Sequence, residues 1–142
     1  MDILLIEDNP GDTRLLEEAF GECGLDHRLA VVTDGVEAMR YLRREKPYTR
    51  GFRPDLILLD LNLPRKDGRE VLMEIKTDAA LRRIPVVILS TSAAEADILA
   101  AYDRHANCYI SKPLDLDAFF AVAESIRRFW VDTVKLPAKD AS

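Results

Sequence analysis

Residues 55–68 read DLILLDLNLPRKDG, and this stretch decides the fold. Four consecutive apolar residues, 56–59, lie between Asp55 and Asp60. A short apolar run without polar alternation is typical of a strand that is buried on both faces, as in a parallel sheet. The polar, proline-containing residues that follow predict a turn, so Asp60 is expected at the carboxyl end of a buried strand.

Similar apolar runs occur on both sides of this stretch, and segments with helical periodicity lie between them. The predicted strands are residues 3–6, 28–32, 56–59, 86–89 and 108–110. The predicted helices are residues 12–23, 35–44, 68–77, 94–104 and 114–131. Strict alternation of five strands and five helices predicts an α/β fold with a doubly wound parallel sheet.

Length and composition indicate one globular domain. The 142 residues are 48% hydrophobic and 32% charged, which argues against disorder, and we expect a domain over residues 1–131 with a tail over 132–142. The net charge of −5 opposes binding to nucleic acid, and no apolar run approaches the length of a membrane span. The two cysteines have no ligand-like spacing, so we expect reduced thiols and a cytoplasmic location.

Charged and hydroxyl residues follow the predicted strands. Glu7 and Asp8 follow the first strand, Asp60 the third, Ser90 the fourth and Lys112 the fifth. Each acid alone could simply cap a helix or face water. Together, however, three acids at one edge of a parallel sheet repel one another unless a cation is present, and carboxylates suit Mg²⁺.

These residues, in this order and context, resemble the receiver domain of two-component response regulators. The run from Asn107 to Pro113 and the Phe129-Trp130 pair are most similar to the single-domain regulators that partner bacterial phytochromes. The resemblance implies a flavodoxin-like sheet with five helices and strand order 2-1-3-4-5. It also implies a phosphorelay protein whose partner is a sensor histidine kinase, with a phytochrome as the narrower expectation.

The resemblance also implies a role for each site residue. Asp60 would accept the phosphoryl group, and Glu7, Asp8, Asp60 and the main-chain carbonyl of Asn62 would hold Mg²⁺. Lys112 would supply a second positive charge at the transferring oxygens, as phosphoryl transfer requires charge neutralisation and alignment.

A switch is expected next to this site. Ser90 would donate a hydrogen bond to the phosphoryl group, and Tyr109 would rotate inward in response, although a tyrosine with one fixed rotamer remains an equal alternative. We further predict a cis peptide bond between Lys112 and Pro113, which the family has, to direct the ammonium inward. His105 is predicted to adopt a left-handed backbone conformation at the end of the fourth helix.

Two other functions fit the fold class less well. A phosphatase with an aspartyl phosphate usually needs a second carboxylate two residues after the nucleophile, where this chain has Asn62, so we predict no enzyme activity. A flavin or nucleotide site would need a glycine-rich or hydroxyl-rich loop after the first strand, where Glu7 and Asp8 would repel phosphate.

The last predicted helix has a wide apolar arc. Val122 and Phe129 extend its core-facing side beyond what one packing contact needs. The excess could be covered by the tail, or it could form an interface. We predict a homodimer through the fourth helix, fifth strand and fifth helix, with Val122 and Phe129 in the interface, as such proteins often form.

Overall fold

In the computed structural model, which describes residues 1–138, strands and helices alternate along the chain. The strands are β1 (Asp2–Ile6), β2 (Arg28–Val32), β3 (Leu56–Leu59), β4 (Val86–Ser90) and β5 (Cys108–Ser111). The helices are α1 (Pro10–Glu22), α2 (Gly35–Leu42), α3 (Gly68–Thr77), α4 (Glu95–Asp103) and α5 (Leu116–Ile126). A π-helical segment, Arg127–Thr133, continues α5. Residues 139–142 of the predicted tail lie outside the described residues.

The strands form one parallel sheet in the order β2-β1-β3-β4-β5, which confirms the predicted fold class. Ile6 of β1 is aligned with Val32 on one side and Leu59 on the other, and Leu59 is aligned with Ile88 of β4. The carboxyl ends of the strands are therefore nearly level. The residues that follow them meet at one edge of the sheet.

Helices cover both faces of the sheet because neighbouring strand residues point to opposite faces. Leu4 and Ile6 of β1 pack into the core layer under α2, α3 and α4. Ile3 and Leu5 pack into the layer under α1 and α5, which contact each other. Every residue of β3 is fully buried, as its unbroken apolar sequence predicts.

The two outer strands, β2 and β5, are less apolar in sequence than the central strands because they lie at the edges of the sheet. β2 lies at one edge of the sheet, where Arg28 and Val31 are exposed, and β5 lies at the other edge, with no fully buried residue. An edge strand has one side without a neighbouring strand and tolerates polar residues that a central strand does not.

The end of α4 was predicted correctly, whereas the end of α5 was not. His105, after α4, has a φ of 68°, which confirms the predicted left-handed conformation. The last helix, expected to run to about residue 131, is α-helical only to Ile126. Beyond it, Val134 N–H donates to Phe129 O (2.9 Å), a five-residue spacing that widens the helix. The α-helical periodicity that placed Phe129 on the same arc as Val122 therefore does not apply there.

Within residues 1–138, no helix has both the length and the apolar character that a membrane crossing requires.

Candidate functional site

Main-chain hydrogen bonds extend the sheet one residue past three strands and so fix the site residues. Glu7 N–H donates to Val32 O (3.0 Å), and Asp60 N–H donates to Ile6 O (3.1 Å). Lys112 N–H donates to Ser90 O (2.6 Å). The side chains of Glu7, Asp60 and Lys112 consequently start from rigid backbone at the same edge.

The structure brings the three predicted acids together. One carboxylate oxygen from each of Glu7, Asp8 and Asp60 lies within 4.8 Å of the others. Glu7 and Asp60 are buried, and Asp8 is exposed. Asn62 N–H donates to Asp60 Oδ1 (3.1 Å), which holds the following turn beside Asp60. This set of hard oxygen donors, with one side open to water, fits a divalent cation such as Mg²⁺.

Lys112 lies inside this cluster. Its Nζ is 2.5 Å from Glu7 Oε1, 3.1 Å from Asp60 Oδ2 and 3.0 Å from Asp12 Oδ2. The side chain of Lys112 is only 5% exposed. The ammonium group therefore neutralises part of the charge that the clustered carboxylates create.

Asp12 was not identified from the sequence as a site residue. The predicted helix began at residue 12, whereas α1 begins at Pro10 because Asn9 caps it and accepts hydrogen bonds from Gly11 N–H and Asp12 N–H. Asp12 thus lies in the first helical turn, next to the site. The Asn9-Pro10 pair is the sequence signal that could have placed it there.

The prediction of a cis bond between Lys112 and Pro113 is wrong. The cis peptide bond among the described residues joins Lys46 and Pro47. β5 runs to Ser111, and Lys112 continues its ladder through the hydrogen bond to Ser90 O. This extended backbone already directs the Lys112 side chain into the acidic cluster, so no cis bond is needed.

Burial and charge shift the pKa values of the central pair. Burial raises the pKa of Glu7 to about 7, with a further rise from Asp60 and an opposing effect of the hydrogen bond to Lys112. Burial alone would lower the pKa of Lys112, but its contacts with Glu7 and Asp12 outweigh burial and raise that pKa. Lys112 therefore stays charged at neutral pH, while Glu7 exchanges a proton there.

The predicted switch residues meet at Ser92 in the loop after β4. The fully buried Ser90 accepts Ser92 N–H through Oγ (3.3 Å), and Tyr109 Oη donates to Ser92 O (2.8 Å). Ser92 Oγ also donates to Asp97 Oδ2 (2.6 Å), and Asp97 Oδ1 accepts from the Arg69 guanidinium (3.2 Å). This network connects the loop to α3 and α4, and no periodic pattern in the sequence indicates it.

The predicted interface residues are in different environments. Val122 is half-buried and packs against the core layer under α1 and α5. Phe129 is 52% exposed and makes an edge-to-face contact with Trp130 at 5.1 Å. On α4, Leu99 and Tyr102 are also exposed, at 59% and 47%.

Comparison with known proteins places this geometry in a family. The sequence profile of the "Response regulator receiver domain" matches residues 3–124. Response regulator Rcp1 of Synechocystis sp. is 49% identical over 136 residues, which cover 96% of this chain and 92% of that protein.

Solved structures agree in fold. The crystal structure of the Mn²⁺-bound form of Rcp1 matches with a TM-score of 0.90, 49% identity, and coverage of 96% of this chain and 99% of that chain. The phosphorylated cyanobacterial phytochrome response regulator RcpA matches with a TM-score of 0.91, 54% identity, and coverage of 96% and 98%.

These similarities confirm the resemblance to receiver domains that the strand-end residues predicted. They also confirm the narrower resemblance drawn from residues 107–113 and the Phe129-Trp130 pair, since RcpA is a phytochrome response regulator. The family match over residues 3–124 includes the carboxyl ends of all five strands. The protein belongs to the family of response regulator receiver domains.

Proposed function

We propose that this receiver domain is a phosphorylation switch in which Asp60 accepts a phosphoryl group from a sensor histidine kinase. The observation that carries the proposal is the position of Asp60, a buried carboxylate held between a buried ammonium, Lys112, and two further acids, Glu7 and Asp8. Phosphoryl transfer needs aligned groups and charge neutralisation, and this arrangement supplies both.

In the transfer, a carboxylate oxygen of Asp60 forms a bond to phosphorus as the bond from phosphorus to the kinase's histidine nitrogen breaks. The bonding electron pair stays on that nitrogen. Lys112 donates hydrogen bonds to the phosphoryl oxygens from its position 3.1 Å from Asp60 Oδ2. Ser90, on the strand next to the one that Asp60 follows, donates a hydrogen bond from its hydroxyl group to the product phosphoryl group.

Glu7, Asp8, Asp60 and the main-chain carbonyl of Asn62 would hold Mg²⁺. When bound, Mg²⁺ would supply positive charge that offsets the charge of the phosphoryl oxygens. The clustered carboxylate oxygens support this ligand set. Mg²⁺ should raise the melting temperature of the wild type, because it binds the folded state preferentially, and Asp8→Ala should abolish that rise.

The site supports a switch more than a turnover enzyme. Asn62, two residues after Asp60, carries an amide that cannot take up and release a proton at neutral pH, so no general acid–base group stands at that position. The phosphoryl group on Asp60 would then act through conformation. Ser90 and Tyr109 both contact Ser92, which offers a route from the site to the loop before α4.

For partners, we propose a phytochrome-type histidine kinase, supported by the similarity to RcpA, and a homodimer formed by α4, β5 and α5. Leu99, Tyr102 and Phe129 leave apolar surface exposed on α4 and after α5. Phe129 is 52% exposed, and Pro137 and Ala138 of the tail lie beside Arg53 and Arg83. No nucleic acid is proposed as a partner, given the net charge of −5.

A cytoplasmic location is also proposed. It is supported by the two cysteines, Cys23 and Cys108, which are both free thiols. Reduced thiols are the usual state in that compartment.

The test is to incubate the protein with Mg²⁺ and a small phosphodonor and to measure intact mass. Wild type should gain one phosphoryl group, and Asp60→Asn or removal of the metal with a chelator should prevent the gain. Asp103→Asn, at an exposed aspartate on α4, is the matched control and should be labelled like the wild type. Equal labelling of Asp60→Asn would refute the assignment.

A further inference from the structure

Asp12 is not one of the proposed metal ligands, yet its carboxylate is one of three that contact the Lys112 ammonium. Asp12 Oδ2 lies 3.0 Å from Lys112 Nζ, about as close as Asp60 Oδ2 at 3.1 Å. The side chain of Asp12 is 23% exposed and that of Lys112 5%. A buried ammonium is costly without such partners, so each contact helps determine where it lies.

Both ends of this pair are anchored to regular backbone. Asp12 is in the first turn of α1, where its own N–H donates to the capping Asn9 Oδ1 (3.2 Å). Lys112 is held by its N–H···O bond to Ser90. The ion pair therefore joins the start of α1 to the end of β5 with little backbone freedom on either side.

The three carboxylates around Lys112 are not equivalent once a metal is considered. Glu7 and Asp60 are proposed ligands, and oxygens that bind a divalent cation are less available to an ammonium, which the cation also repels. Asp12 is the remaining partner, outside the ligand set and on the α1 side of Lys112.

We propose that Asp12 is a positioning residue that keeps the Lys112 ammonium beside Asp60 while metal occupies the other carboxylates. This role rests on the proposed phosphorylation of Asp60, which it serves by having the ammonium in place for the incoming phosphoryl oxygens. Its loss leaves Lys112 charged and near the site but free to turn away from Asp60.

A different role would leave the same contact in the structure. An acid in the first turn stabilises a helix by interacting with its dipole, and Asp12 is the acid in the first turn of α1. That role predicts a lower stability for Asp12→Asn but no change at the Lys112 ammonium or in the phosphorylation rate of folded protein.

The experiment compares wild type, Asp12→Asn and the matched control Glu18→Gln, at an exposed acid on α1. One readout is the rate of phosphorylation by a small phosphodonor at saturating Mg²⁺, followed by intact mass. The other is the side-chain ammonium NMR signal of Lys112 in the Mg²⁺-saturated, unphosphorylated protein. A held ammonium exchanges its protons slowly and gives a signal, and a mobile one does not.

We expect Asp12→Asn to slow phosphorylation about tenfold, in the range of positioning effects, and to lose the Lys112 signal. Glu18→Gln should keep both. An unchanged rate in Asp12→Asn would overturn the proposal, as would a slower rate with the Lys112 signal intact. A wild type without the signal in Mg²⁺ would also overturn it. Absence of labelling in the wild type would instead refute phosphorylation itself, so the two failures are distinguishable.

Discussion

Mg²⁺ should bind this protein more weakly at pH 6 than at pH 8, because Glu7 must lose its proton to act as a ligand. Burial raises the pKa of Glu7 from 4.5 to about 7, and the neighbouring Asp60 adds to the rise against the opposing hydrogen bond from Lys112. At neutral pH a metal at the proposed site would therefore compete with a proton for this carboxylate.

The size of the effect follows from that pKa. With a pKa of about 7, Glu7 is mostly ionised at pH 8 and mostly protonated at pH 6, so the affinity for Mg²⁺ should fall about tenfold. The pKa of Glu7 is higher in the folded state than in the unfolded state, so protonation of Glu7 favours the metal-free fold. This contribution to the free energy of unfolding is complete below about pH 4.5 and is lost as pH rises through about 7. The loss is of the order of 3 kcal/mol.

Isothermal titration calorimetry with Mg²⁺ at pH 6 and pH 8 measures the change directly. Glu7→Gln removes the titrating proton while keeping the side-chain shape, and it should bind weakly with no difference between the two pH values. Glu18→Gln, at an exposed acid, should keep the wild-type dependence. Equal wild-type affinity at both pH values, or a pH dependence that survives in Glu7→Gln, would refute the reasoning.

Four further substitutions test the interface, the packing around two glycines and the switch. Phe129→Glu should give monomers in sedimentation experiments, whereas a wild type that is itself monomeric at high concentration would contradict the dimer. Gly68→Ala should lower the free energy of unfolding by about 1–3 kcal/mol, because the new Cβ would overlap the main chain at the end of β3. At Gly21 the added Cβ would meet open space, so Gly21→Ala should raise the free energy of unfolding by up to about 1 kcal/mol. Urea titration measures the change for both glycine variants. Tyr109→Phe loses the hydrogen bond to Ser92 O (2.8 Å) and should lower the free energy of unfolding by about 1 kcal/mol; no change would mean that the bond contributes nothing.

The layout of the sheet could be predicted because its cause is local in the sequence. An unbroken apolar run such as Leu56–Leu59 can be buried only between two layers, and strict alternation with helical segments leaves few topologies. Residues at strand ends, such as Asp60 and Lys112, are then brought together by topology alone. His105 was predictable because a helix end often needs a left-handed residue.

The features that were missed depend on contacts between distant segments or on small shifts of helix ends. Asp12 joined the site because α1 begins two residues earlier than its apolar periodicity indicates. The bond of Ser92 to Asp97, which also binds Arg69, needs the packed positions of α3 and α4. The π-helical segment, Arg127–Thr133, replaces the end of the predicted α-helix that carries Phe129, and no residue in it signals that change.

The most direct test of the central claim is to locate the phosphoryl group after labelling with a small phosphodonor and Mg²⁺. Borohydride reduces an aspartyl phosphate to homoserine, which peptide mass spectrometry can assign to one position. We predict homoserine at position 60 of the wild type and at no other acid, and none in Asp60→Asn. Homoserine at Asp8 or Asp12, or in the Asp60→Asn protein, would contradict the assignment of Asp60 as the phosphoryl acceptor.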